Sequence, residues 1–122
     1  ALDAATTLAL AGLLERTDAD PVDRAGWEWA RTGVEARLNP VSLPAARLAP
    51  LAGTYSGRAI LFEDGGLVWR RSNGQKARLR PMTARGLFSV QGYDDRVRLR
   101  LTGDTLEMQW VDEPAPSRFP RD

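Results

Sequence analysis

Hydrophobic positions recur with a helical period over residues 2–39 and with a period of two from Gly53 onward. In the first segment Leu2, Ala5, Leu10, Leu13 and Leu14 form an apolar side that Glu15 and Arg16 close, which predicts a helix ending at about Arg16. A second start comes at once. Asp20 is a capping residue, Pro21 stands where a missing N–H costs nothing, and Asp23 faces the positive end of the helix dipole. This helix is expected to run to about Leu38. Its stripe is Trp27, Ala30, Val34 and Leu38, widened by Val22 and Trp29, and Asn39-Pro40 stops it. The pair predicts a helical hairpin. Ser42 then precedes a short capped helix, Leu43-Pro44-Ala45-Ala46-Arg47-Leu48, which ends before Gly53 and links the hairpin to the strand-rich half of the chain.

Beyond Gly53 the turn residues come at short spacing: Asp64-Gly65, Asn73-Gly74, Gly92 to Asp94, and Gly103-Asp104. They predict a six- to seven-stranded antiparallel meander, a small lipocalin-like sheet or partly open barrel, with Tyr55 on a short strand that closes it. If the tight turns are two-residue hairpins, one row joins Leu61, Val68, Leu79, Phe88, Leu99 and Met108. The adjacent row joins Ala59, Arg70, Ala77, Val90, Val97 and Trp110, and a third holds Leu101 and Leu106 beside Gly66, Pro81 and Gly86. That face is apolar almost throughout, and a slip by one residue would turn arginines inward. Leu99→Glu is therefore expected to abolish folding, and Arg98→Glu, on the other face, to change stability by no more than about 0.5 kcal/mol.

The opposite face carries Ile60, Phe62, Leu67 and Trp69 on its first two strands, and Arg78, Arg80, Ser89, Arg98, Arg100, Glu107 and Gln109 on the others. The apolar half is a candidate contact surface, to be covered by the helical hairpin, by a partner or by a second copy in a homo-oligomer. Residues 113–122, with three prolines, predict an extended or disordered tail. The expected organisation is α+β: residues 1–52 as helical hairpin and connecting helix, 53–112 as β meander and 113–122 as tail, in one compact unit.

Composition narrows the chemistry. The 122 residues, 43% hydrophobic, suffice for one domain. With 17 basic and 16 acidic residues the net charge is +1, which provides no global pull toward nucleic acid or an anionic membrane. The chain contains no cysteine and no histidine. This excludes disulfides, thiolate metal sites, a cysteine nucleophile, a Ser-His-Asp triad and the commonest zinc ligand. No stretch of about 20 apolar residues is present to span a membrane. Because the chain begins at Ala1 in helix-like sequence, a processed protein or an excised piece of a longer one is expected.

The largest polar feature is a basic band, with Arg58, Arg71, Lys76 and Arg96 on one outer row and Arg78, Arg98, Arg80 and Arg100 beside them. Such a band can grip phosphate or a carboxylate, or serve as a solvated strand face that blocks edge pairing. It lacks the interleaved aromatics of single-strand nucleic-acid binders. Trp69 opposite Arg78 suggests a cation–π contact. Arg70 is placed inward between Ala59 and Ala77, where a guanidinium needs an anionic partner or an escape to solvent. Arg70, Arg78 and Arg98 are thus the candidate anion or partner contacts. A Ser-Lys pair would have to use Lys76 beside Ser72, and an exposed lysine is a poor base. Asp94-Asp95 and Asp112-Glu113 sit at turns or strand ends and read as solubilising. Gly65-Gly66 and Gly103 lie in hairpins, not before a helix, so they cradle no phosphate. No catalytic, metal-binding or cofactor-binding residue emerges.

The run Ala36-Arg37-Leu38-Asn39-Pro40-Val41-Ser42-Leu43, followed by Leu51-Ala52-Gly53-Thr54-Tyr55-Ser56-Gly57-Arg58-Ala59-Ile60, resembles the C-terminal accessory region of bacterial serine peptidases. The family is the tail-specific (C-terminal-processing) one that includes retinoid-binding-protein-like members. A helical stretch there leads into a Gly-Thr-Tyr strand, an Arg-x-Ile strand, a glycine turn and an aromatic-rich step, here Leu67-Val68-Trp69-Arg70-Arg71. The resemblance covers roughly residues 20–112. The same Gly-Thr-Tyr start also looks like the small lipocalin-like domains appended to penicillin-binding-like serine hydrolases. The resemblance implies a non-catalytic appendage of an exported hydrolase in the periplasm or cell envelope, with an upstream peptidase domain of the same protein as partner. None of the family's catalytic motif falls on a position of this chain. The alternative is a free-standing small lipocalin-like module whose cup holds a small apolar or anionic ligand near Arg70 and Trp110, against which stand the large inner residues Leu61, Leu79, Phe88, Leu99 and Met108.

Overall fold

The computed structural model describes residues 3–17, 20–93 and 95–122; Leu2 and Asp94 of the expected helix and turn lie outside them. Helix α1 (Ala4–Thr17) starts at Asp3, whose carboxylate accepts the Thr6 N–H at 2.7 Å. Helix α2 (Pro21–Leu38) starts as its sequence predicts, with Asp20 accepting the Val22 N–H at 2.8 Å and Asn39 N–H closing the last turn on Glu35 O. The two pack as a hairpin. Ala11, Gly12, Gly33 and Val34 are its buried residues, small enough to let the backbones approach. Arg31 of α2 pairs with Glu15 of α1 and, at 3.1 Å, with Glu35 one turn along its own helix. Of the expected stripe, Val34 is buried and Trp27, Trp29 and Ala30 are half-buried, whereas Leu38 and Val22 are exposed.

The chain forms two compact units, one ending at Val41 and the other spanning Ser42–Asp122. The expected division after residue 52 therefore moves back to residue 41. The reason is the short helix α3 (Ala45–Leu48) and its 3₁₀ extension (Ala49–Leu51): Leu48 is part of the β unit's core, with Leu43, Leu51 and Ala52 packed against it.

Eight antiparallel strands come next, in sequential order: β1 (Gly53–Tyr55), β2 (Arg58–Glu63), β3 (Gly66–Arg70), β4 (Lys76–Pro81), β5 (Leu87–Val90), β6 (Val97–Leu101), β7 (Thr105–Trp110) and β8 (Ser117–Pro120). The sheet very nearly closes on itself. A bridge joins Tyr55 to Arg121, and the Asp122 N–H donates to Thr54 O at 2.9 Å. The Asp122 carboxylate also takes the N–H groups of Ser56 and Gly57, the two left-handed residues of the β1–β2 turn, at 3.0 and 3.3 Å. The expected tail is thus extended but paired, and it supplies the eighth strand.

Register agrees with expectation along β5–β6–β7, where Phe88, Leu99 and Met108 stand in one row and Val97 faces Trp110, and also between β2 and β3. It departs at β3–β4. Residues 72–74 form a longer loop, closed by Arg71 N–H on Gln75 O (2.8 Å) and Gly74 N–H on Arg71 O (2.9 Å), with Gly74 at φ +86°. One extra loop residue pairs Val68 with Arg78 instead of Leu79, and reverses the faces of β2 and β3 relative to β4–β7. At β4–β5 the pairing moves by two, to Leu79 with Val90, which preserves the face.

The reversal corrects the candidate contact surface. Ile60, Leu67 and Trp69 point into the barrel and are buried in its core, and only Phe62, near the end of β2, remains partly exposed. An oligomer joined through that patch loses its basis. The interior is filled by Tyr55, Ile60, Leu67, Phe88, Val97, Leu99 and Leu106, each under 2% exposed, as an eight-stranded barrel can be by side chains alone.

Tyr55 is the polar member of this core, and its hydroxyl donates to Leu51 O at 2.7 Å. Burial pushes its pKa above the ordinary phenol value, opposed by the nearby positive charge of Arg121. The neutral phenol is compatible with the fold; as pH rises through about 10, the unfolded chain releases this proton before the folded one, so stability falls. Tyr55→Phe is expected to cost about 1 kcal/mol at pH 7 through the lost hydrogen bond and to flatten the alkaline decline. Urea titrations between pH 7 and 11 check this, and parallel alkaline slopes for the two proteins would contradict it.

Candidate functional site

Alternation of strand direction gathers the β2–β3, β4–β5 and β6–β7 turns at the barrel end where α3 enters, and the remaining turns at the opposite end. At the α3 end a cleft of about 310 Å³ opens between Leu43, Arg47 and Leu51 of the connecting segment and Arg85, Gly86, Leu101 and Thr102 of the barrel. Its floor is aliphatic. The far wall is a loop held in shape by Thr83, whose hydroxyl oxygen accepts the N–H groups of Arg85 and Leu87 at 3.2 and 3.4 Å. Gly86 sits at φ +88° with its carbonyl accepting the Leu101 N–H at 2.9 Å.

Arg47 crosses the cleft's edge, donating from Nη2 to Ala84 O at 2.9 Å, which places its guanidinium beside the backbone of Arg85. Among the described residues neither Arg47 nor Arg85 has a carboxylate within ion-pair distance. Behind them Arg121 pins this end together. It donates from Nη1 to Pro50 O and Gly103 O, both at 3.0 Å, and from Nη2 to Ala52 O at 2.6 Å.

The opposite end carries a cluster of tilted rings. Tyr93 stands between Trp69 and Trp110, with centroids 5.9 and 6.0 Å apart. Arg71 donates from Nη1 to the Tyr93 hydroxyl oxygen at 2.6 Å, and its guanidinium lies 5.5 Å from the Trp69 ring. The expected pairing of Trp69 with Arg78 gives way to this one, because Trp69 faces inward opposite Ala77.

The candidate anion contacts do not converge. Arg70 is exposed on the outside of the barrel, not inside it, as the reversed face of β3 requires. Arg78 leans toward the β2–β3 turn, with its Nη2 3.9 Å from Asp64 and its Nη1 donating to Glu63 O at 3.4 Å. Arg98 is 5% exposed, and its Nε and Nη2 bind the Asp95 carboxylate at 2.9–3.1 Å. The expectation that Arg98→Glu is harmless fails here, since the change would set two carboxylates against each other. Elsewhere in the basic band Arg58 stacks on Phe119 at 3.6 Å and Lys76 pairs with Glu63 at 2.9 Å. The arrangement is a set of local partnerships, not a phosphate grip.

Arg47 and Arg85 went unmarked in the sequence because neither lies on a periodic stripe, and a loop arginine before a glycine carries no signature of its own. No helix among the described residues is long and apolar enough to cross a membrane. No protein-family model, curated protein or solved structure matches the chain.

Proposed function

We propose that this chain is a non-catalytic C-terminal accessory domain of an exported bacterial serine peptidase, acting in the periplasm or cell envelope as a scaffold or protein-contact module for the upstream peptidase domain. The observation that carries the proposal is the filled interior. Phe88, Leu99 and Leu106, fully buried, occupy the volume that a lipocalin-like carrier would give to its ligand, so the barrel's work is done by its outer surface and ends. The lack of histidine and cysteine, and the pairing of the single lysine with Glu63 at 2.9 Å, support a non-catalytic role for this chain. The peptidase assignment is supported by the resemblance around Asn39-Pro40 and Gly53-Thr54-Tyr55.

The test compares the complete product of the reading frame with this chain, using an unstructured peptide as substrate. Hydrolysis by the complete product, lost when its own nucleophilic serine is changed, with none by this chain, is the expected result. Hydrolysis by this chain alone, or a complete product that cleaves no peptide and is instead acylated by a β-lactam, would overturn it. The β-lactam outcome would move the domain to the penicillin-binding-like hydrolases.

A further inference from the structure

From the cleft beside α3 we infer a binding site for a small amphiphilic anion, a carboxylate on an unbranched chain of about eight carbons. The cleft lies wholly within the barrel unit, and its two kinds of wall call for two kinds of ligand atom. Leu43 and Leu51, both half-buried, offer aliphatic surface beside the buried Leu101, and this surface gains from covering an alkyl chain. Arg47 and Arg85 stand at its rim with no carboxylate partner among the described residues. In the basic band Arg98 and Lys76 are matched by Asp95 and Glu63, and the cations left there without a carboxylate among the described residues lie outside this cleft, whereas Arg47 and Arg85 line it.

Preorganisation strengthens the case. The hydrogen bond from Arg47 to Ala84 O spends one nitrogen and leaves the rest of the guanidinium fork available, held in place at little further entropic cost. The 82–86 loop that carries Arg85 is braced by Thr83 and by the Gly86–Leu101 hydrogen bond, so the second cation has a defined base. Size guides the choice of chain length. The cleft, open to solvent on one side, has a volume of about 310 Å³, which corresponds to about ten non-hydrogen atoms at the density of a liquid, the number in octanoate. The ligand's carboxylate meets both arginines while its chain lies along the leucines.

Titration of the whole 122-residue chain with octanoate, followed by amide proton–nitrogen correlation spectra, tests the site. Saturable shifts are expected at residues 47, 85–86 and 101–102, with a dissociation constant of about 0.1–1 mM. Acetate, inorganic phosphate and octanol, each holding only one half of the chemistry, are expected to bind at least about tenfold more weakly. Arg85→Gln, on an exposed loop, is expected to weaken octanoate about fivefold and the pair Arg47→Gln with Arg85→Gln at least about tenfold, both preserving the dispersed spectrum of the barrel. No saturation by about 10 mM octanoate, equal binding of phosphate, octanoate binding unmoved by Arg85→Gln, or shifts centred on Trp69, Tyr93 and Trp110 would each overturn the site. The titration needs no peptidase activity, so its outcome and that of the hydrolysis assay are independent.

Discussion

Leu99→Glu is expected to leave no folded barrel. Leu99 is wholly buried in the middle of β6, with Phe88 on one side and Met108 on the other, and among the described residues no cation lies inside to meet a carboxylate there. Burying an unpaired charge costs several kcal/mol even after relaxation, and the lost leucine packing adds about 2–5 kcal/mol. A small domain has only about 5–15 kcal/mol to lose. Circular dichroism and amide spectra of the variant are expected to be those of an unfolded β unit. Ser89→Glu provides the control, because Ser89 faces outward beside Arg80, a cation with which a carboxylate there can pair. A folded Leu99→Glu protein, or an unfolded Ser89→Glu one, would show that β5 and β6 are read on the wrong face.

Gly86→Ala has the second-largest expected effect, about 2–4 kcal/mol. The backbone at Gly86 is left-handed, and an added Cβ would lie 2.4 Å from the carbonyl oxygen of Leu101, an atom that cannot swing aside as a side chain can. Relief requires breaking the Gly86–Leu101 hydrogen bond and displacing the cleft wall. Gly103→Ala separates the two components of this cost: Gly103 is also left-handed, at φ +97°, but nothing lies within 4 Å of the Cβ it would gain. The Gly103 change is expected to cost about 1 kcal/mol and the Gly86 change to lower the melting temperature by on the order of 10–20 °C. Equal losses in thermal melts would mean that the close approach at Leu101 is not real.

Helix starts were legible because their signals are local: Asp20 and Pro21 need nothing beyond the next two residues to set the first turn. The β5–β6–β7 register was legible for a related reason, since Arg98 and Arg100 alternate cleanly with Val97, Leu99 and Leu101 and allow only one face inward. Strands β2 and β3 lack that contrast. Ala59-Ile60-Leu61-Phe62 and Leu67-Val68-Trp69 are apolar on both faces, so their orientation was decided by the loop at Asn73, and a two-residue and a longer turn around Asn-Gly differ by one residue of register. Val68, buried without joining the barrel's core, shows how little alternation says in such a strand. The last strand escaped because prolines flank Ser117–Pro120 and its pairing partner is β7 on one side and the distant β1 on the other. The cleft arginines could not be seen at all before α3 and the 82–86 loop were brought together.

The β1–β8 seam governs how this barrel comes apart. Seven of its ladders join neighbours in the chain and can zip from their own turns, but the eighth contact, Tyr55 with Arg121, must close a long span at a greater cost in chain entropy. An opened seam bares two unpaired edges on one molecule, with β1 only three residues long and β8 four residues long and ending at Pro120, both poor templates for a foreign strand. The joint that spans the most sequence is thereby also the one least able to recruit a second copy.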